Sequence, residues 1–180
     1  MTTTVRRNPR YLIDTNCLVT PFNDYYRPNF DISSPFWERL RELVNNDEVG
    51  MLSLVADEVC AGKTDNDFLN AWVESIRGKI IDPKRNQSIA NRFGSIQRYI
   101  ADPLNGFSQR AQRSWMRSEV ADPWLVAAAA QFNAKIITFE KPVTQVRNQP
   151  SNGVKIPNVA KAYDVACISL FDFMDEVRGF

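Results

Sequence analysis

The stretch Tyr11-Leu12-Ile13-Asp14-Thr15-Asn16 decides how the rest of the chain is read. It is an apolar run that ends in an acid, so it reads as a strand with Asp14 at its carboxyl end. Open α/β sheets gather their ligands at that edge. Ile136-Ile137-Thr138-Phe139-Glu140 repeats the pattern late in the chain, where a strand is expected over 135–139. Before it, Asp122-Pro123 precedes Trp124-Leu125-Val126-Ala127, which predicts a helix with Asp122 as its N-cap and Pro123 at its first position. Acids gathered at one sheet edge repel one another strongly unless cations sit among them. The pattern therefore points to a divalent-metal site.

Further strands are expected over 49–54 and 165–168, and a short extended piece over 154–156. Ser34-Pro35 opens a helix that runs to about Asn45, with Phe36, Leu40, Leu43 and Val44 on its apolar face. A short helix begins near Val55, amphipathic helices cover 65–77 and 84–100, and another falls within 105–117. The Ala-rich segment 124–132 and the terminal segment 170–177 are also helical, whereas 22–31 and 141–153 read as loops. Strands alternating with helices predict a mainly parallel sheet covered on both faces, a three-layer α/β/α sandwich.

The length of 180 residues suits a single domain with a sizeable core, and residues 1–9 read as a flexible N-terminal segment. Hydrophobic content of 44% and charged content of 24% are those of an ordinary globular protein. The polar start carries no secretory signal, and Trp124 to Ala130 is too short to span a bilayer, so a cytoplasmic location is expected. Cys17, Cys60 and Cys167 match no zinc or disulfide spacing and read as reduced, mostly buried thiols. Histidine is absent. That excludes Ser-His-Asp and Cys-His catalysis, His-ligated zinc and His-based ribonuclease chemistry, and leaves acid–base work to carboxylates and metal-bound water.

The net charge of +1 hides an asymmetry. From Arg77 to Arg117 there are nine basic residues against Asp82 and Asp102, a net of +7, while the remainder is net −6. A phosphate-binding face beside an acidic metal site would look like this, and so would a solvated helical surface.

Each acid has a plain structural reading beside the functional one. Asp14 could serve an Asx-turn or cap a helix. Glu58, at the start of the short helix, competes with its neighbour Asp57, about 100° away around the axis. Asp122 suits a helix start with or without metal, and Glu140 could be a solvated loop acid. Four acids at four element boundaries in a chain without histidine are harder to dismiss together.

The order Ile13-Asp14-Thr15-Asn16, Glu58-Val59, Ala121-Asp122 and Ile137-Thr138-Phe139-Glu140 resembles the PIN-domain family of metal-dependent nucleases. Ile156-Pro157-Asn158-Val159 and Asp122-Pro123-Trp124-Leu125 look like those of one prokaryotic PIN-like branch. The resemblance implies a Rossmann-like sandwich in which Asp14, Glu58 and Asp122 match the principal acids that bind Mg²⁺ or Mn²⁺ and cleave RNA. Glu140 stands where that family commonly has Asp, and would hold a second ion or orient water. It further implies a toxin held in check by an antitoxin protein, with possible homodimerisation. Arg92, Arg98, Arg110 and Arg113 would then hold phosphates, and Tyr25, Tyr26 or Trp115 would stack on bases. The alternative is a catalytically silent PIN-like module that binds RNA or protein. A haloacid-dehalogenase-type phosphatase is disfavoured, because its Asp-x-Asp motif would fall on Asp14-Thr15-Asn16.

Overall fold

The computed structural model describes residues 7–61, 67–143 and 153–180. The expected N-terminal segment up to residue 6, the start of the 65–77 helix and most of the 141–153 loop lie outside the described residues. Four strands form one parallel sheet: β1 (Tyr11–Ile13), β2 (Val49–Gly50), β3 (Lys135–Ile137) and β4 (Cys167–Ile168), in the order β2-β1-β3-β4. With helices on both faces, the architecture is the expected three-layer α/β/α sandwich. The register that matters most pairs Ile13 with Ile137, because it sets Asp14 beside Thr138 just past the strand ends.

The helices follow their apolar periodicity. α1 (Asn16–Thr20) leaves β1 directly, and Pro21–Tyr25 extends it as a wider π-helical turn, so part of the expected 22–31 loop is helical. α2 (Ser33–Asn45) buries Phe36, Trp37, Leu40, Leu43 and Val44, the spacing of one helical face. α3 (Ser53–Cys60) starts earlier than its hydrophobic pattern suggests and truncates the expected 49–54 strand: only Val49 and Gly50 pair with β1, and Leu52 bridges to Ile81. α4 (Asp67–Ser75) follows.

The expected helix over 84–100 is divided. Pro83–Arg85 forms a 3₁₀ turn, and α5 (Gln87–Ala101) begins only after Asn86, whose side chain accepts the Ser88 and Ile89 amides. α6 (Gln109–Trp115) leads to α7 (Ala121–Phe132), in which Leu125 to Ala129 are wholly buried. The run of alanines lets α7 lie against β1 and β3 on one side and α5 on the other, with Phe93 stacked on Trp124 at 4.0 Å. The extended piece expected over 154–156 instead leads into α8 (Ile156–Ala162). Pro157 sits in its first turn, where a missing amide hydrogen removes no helical bond, and Ile156, Val159 and Ala160 face the core. α9 (Leu170–Val177) opens with a capping box between Ser169 and Asp172. Its Phe173 packs edge-on against Tyr11 of β1 at 4.9 Å, and Phe180 joins Phe173 to Phe36 of α2.

Gly50 is required by packing. A Cβ there would lie 2.7 Å from Leu12 Cδ2 and 2.7 Å from Pro9 Cγ, and both neighbours are buried. Gly50→Ala is expected to lower stability by roughly 1–3 kcal/mol, the usual penalty of overpacking, read as a fall in the urea midpoint. An unchanged midpoint would show that Leu12 and Pro9 have room to yield. No helix among the described residues is long and apolar enough to cross a membrane.

Candidate functional site

The carboxyl ends of β1 and β3 are tied together by side chains. Asp14 is 4% exposed, and its Oδ2 accepts the Thr138 hydroxyl at 2.7 Å and the Asn16 amide at 2.5 Å. The other end of Asn16 accepts the Phe139 backbone N–H at 3.0 Å. Asn16 therefore clamps β1 to β3 while aiming Asp14.

Glu58 rather than Asp57 turns toward this edge. Its Oε2 accepts the Thr15 hydroxyl at 2.6 Å, and its Oε1 accepts the Ala121 amide at 3.3 Å. That second bond corrects the expected capping of α7. The capping position is Val120, whose side chain offers no acceptor, Asp122 is the second residue of the helix and Pro123 the third. A carboxylate from α3 thus serves the first amide of α7, which leaves Asp122 free of the N-cap duty. Among the described residues no hydrogen-bond donor reaches the Asp122 carboxylate.

Asp122 and Asp14 share one electrostatic environment. Burial pushes the Asp122 carboxyl up to about 7, helped by the charges of Asp14, Glu140 and Glu58 in that order, against a partial offset from Lys155. Asp14 is raised to about 6, mainly by burial and further by Glu140 and Glu58, while its hydrogen bonds from Thr138 and the Thr15 backbone act the other way. The same field reaches Cys167, whose thiol is raised to about 11 by burial and then by Asp14 and Glu140. Cys17 is buried and Cys167 half-buried, whereas Cys60 is exposed, contrary to the expectation that all three would be largely buried.

Glu140 is differently placed. Lys155 Nζ lies 2.5 Å from its Oε1, and the Ile156 amide donates to its Oε2 at 2.8 Å. Both oxygens serve the start of α8. Lys155 is a site residue that sequence reasoning missed: a single lysine ahead of Ile156-Pro157 carries no signal of its own, and only the approach of α8 to β3 brings it here. Beyond the ends of β3 and β4 a cleft of about 550 Å³ opens, lined by Thr138, Glu140, Lys141, Lys161, Cys167 and Ser169 among others.

Outside the acids, the expected contacts divide. Arg77, Lys79, Arg85 and Arg117 pair with Glu74, Asp47, Asp82 and Glu119. Arg92, Arg98, Arg110 and Arg113 are exposed and have no carboxylate partner among the described residues. Arg92 donates to Gln131 at 3.0 Å, so it lies toward the far end of α7, nine residues or about 13 Å along the axis from Asp122. Trp115 is 3% exposed and is core, which removes it as a stacking surface. Tyr26 is stacked on Phe36 at 4.0 Å and donates toward Met174. Tyr25 remains open, 44% exposed and edge-on to the similarly exposed Phe171, which in turn meets Phe139 beside the acids.

Residues 11–179 match the family described as "Domain of unknown function (DUF4411)". The chain belongs to that family. A comparison with curated proteins finds no match. The DUF4411 match runs through all four acids, Asn16, Thr138 and Lys155, so the sheet edge and its clamps lie within the family's domain.

The donors of this DUF4411 site are all hard oxygens, the chemistry that suits Mg²⁺ or Mn²⁺. Among the described residues no three acidic or thiol side chains converge into a finished metal shell. Glu58 and Glu140 each have both oxygens engaged by a protein donor. The set fits a hard cation in chemistry and charge, with Asp14 and Asp122 as the two acids whose ionisation most needs one.

Proposed function

We propose that this protein is a metal-dependent endoribonuclease. The observation that supports it best is the pair Asp14 and Asp122, delivered by β1 and α7 to one sheet edge and held there with raised carboxyls. Structural acids are normally placed where ionisation is easy; two acids kept where it is difficult suggest a cationic ligand. Asp14, Asp122 and Glu58 would hold Mg²⁺ or Mn²⁺, and such an ion supplies a water acidic enough to attack a phosphodiester without a histidine. Asn16 and Thr138 orient Asp14, and Thr15 with the first amide of α7 orients Glu58. Arg92, Arg98, Arg110 and Arg113 would bind flanking phosphates, with Tyr25 as the available stacking ring. The choice of RNA, the toxin role, an antitoxin partner and a possible homodimer rest on the PIN resemblance alone.

A catalytically silent PIN-like binding module is the second reading. It is favoured by the engagement of Glu140 with Lys155 and by the unconverged acids. Metal dependence separates the two. The purified protein should cleave single-stranded RNA with Mg²⁺ or Mn²⁺ and stop in excess EDTA; binding without cleavage under any divalent ion would select the silent module.

RNA affinity measured against salt checks the arginines. Replacing any one of the four with Ala should lower the slope of log affinity on log salt by roughly 0.7 per lost single-strand contact. Four unchanged slopes would return these side chains to ordinary solvated surface.

A further inference from the structure

We infer that an unpaired nucleic-acid strand leaves the acidic edge along a groove between segment 140–143 and α8, with Lys141 and Lys161 holding its phosphates. This names the path of the substrate and rests on the nuclease reading above. The groove is made of two hollows. The cleft of about 550 Å³ beyond β3 and β4 includes Thr138, the residue that holds Asp14, and a second hollow of about 560 Å³ reaches Tyr99 and Phe107. Pro142, Pro157 and Lys161 stand in the walls of both. Those walls are fixed by the chain's own bonds. Asn158 accepts the Val143 amide through Oδ1 and donates to the Val143 carbonyl through Nδ2, each at 2.9 Å. At the other end of the same segment, Glu140 accepts from Lys155 and from the Ile156 amide. Lys141 and Pro142 are thus strapped to the start of α8 from both sides. Lys161 follows Pro157 by four residues, on the same face of that helix.

Chemistry selects the occupant. Lys141 and Lys161 are exposed, and neither meets a carboxylate among the described residues. In the same walls the charge of Glu140 is answered by Lys155, so two open ammoniums face one unpaired acid, Asp164. Much of the remaining wall is built of rings, with Phe139, Pro142, Pro157 and Tyr99. Separate cations with rings among them suit a chain that alternates phosphates with unpaired bases, whereas a duplex keeps its base faces hidden. The lysines also stand at the acids' own end of the molecule, since Lys141 adjoins Glu140, while Arg92 lies toward the far end of α7.

The test is fluorescence anisotropy of a labelled oligouridine of about 12 nucleotides, comparable to known single-strand sites, titrated with the full-length protein in EDTA so that no cleavage intervenes. Wild type should bind this strand, and should bind it more weakly once it is paired with oligoadenine. Lys141→Ala and Lys161→Ala should each weaken binding and lower the slope of log affinity on log salt by roughly 0.7, and the double variant by roughly 1.4. Asp164→Asn should tighten binding. The charge-keeping variant Lys141→Arg/Lys161→Arg should bind like wild type, which separates lost charge from a disturbed fold. No binding by wild type, an unchanged affinity and slope in the double alanine variant, or duplex bound as tightly as single strand would overturn the inference. Cleavage of RNA with Mg²⁺ or Mn²⁺ by that same protein would leave the nuclease reading standing. Lysine-dependent binding by a protein that cleaves under no divalent ion would keep the groove and overturn the nuclease reading.

Discussion

Asp14→Asn is expected to reduce divalent-dependent RNA cleavage by about a thousandfold or more, since a metal ligand contributes several kcal/mol and each 1.36 kcal/mol is tenfold in rate. The same change should raise the melting temperature of the metal-free protein. Both effects follow from what Asp14 touches. Its Oδ2 accepts two donors, from Thr138 and Asn16, and an amide oxygen can occupy that position. The clamp between β1 and β3 is thereby kept while the buried charge is lost. Repulsion with Asp122, Glu140 and Glu58 falls, and a fold without metal gains by it. Single-turnover cleavage and thermal melting in EDTA on one preparation decide the matter; cleavage near the wild-type rate would remove Asp14 from the catalytic set.

The metal-free protein should also lose stability as the pH rises from about 4 to about 7. The carboxyls of Asp14, at about 6, and Asp122, at about 7, stand above the value near 3.9 expected in the unfolded chain. Between those values the folded state holds protons that the unfolded state has released. The stability tied to protonation is therefore fully present below the unfolded value and is lost as the pH climbs through the two folded ones. Both elevations act in the same direction, so their effects on stability reinforce one another. The lowered carboxyls of Glu119, Asp172 and Glu176 act in the opposite sense, with stability present above their unfolded values and lost on acidification.

Asp122→Asn should flatten this dependence and stabilise the protein at the alkaline end. An acid in the first turn of a helix is favourable by only about 0.3–1 kcal/mol, less than the penalty of ionising it among three other carboxylates. Saturating Mn²⁺ should reverse the wild-type trend, because the ion binds the ionised form. Urea midpoints in EDTA at the two ends of the range provide the check. A wild-type midpoint higher at the alkaline end would mean that these acids are not held against ionisation.

Much of this site is legible from local pattern. An apolar run that ends in an acid marks the end of a strand whatever surrounds it, so Asp14 and Glu140 are placed on the sheet edge by their own neighbours. The absence of histidine narrows the chemistry by composition alone. Helical periodicity locates α2, α5 and α7, and misses α8 because its seven residues hold too few turns for a pattern to repeat. The start of α5 falls a few residues later than its apolar pattern suggests, because Asn86, an N-cap inside a polar stretch, looks like any other surface residue until its amide partners are seen.

The α/β class, the parallel arrangement and the acid-bearing boundaries follow from hydrophobic period and from residues adjacent in the chain. The choice of Glu58 over Asp57, the service of Glu58 to the first amide of α7, and the pairing of Glu140 with Lys155 come instead from packing between distant segments. That packing also decided that Trp115 is core and that Arg92 lies far along α7 from Asp122. The physical reason is the same in each case. Whether a carboxylate meets a hydroxyl, an amide, an ammonium or another carboxylate depends on strand register and helix packing between segments 15 to 124 residues apart, and no local pattern encodes that meeting.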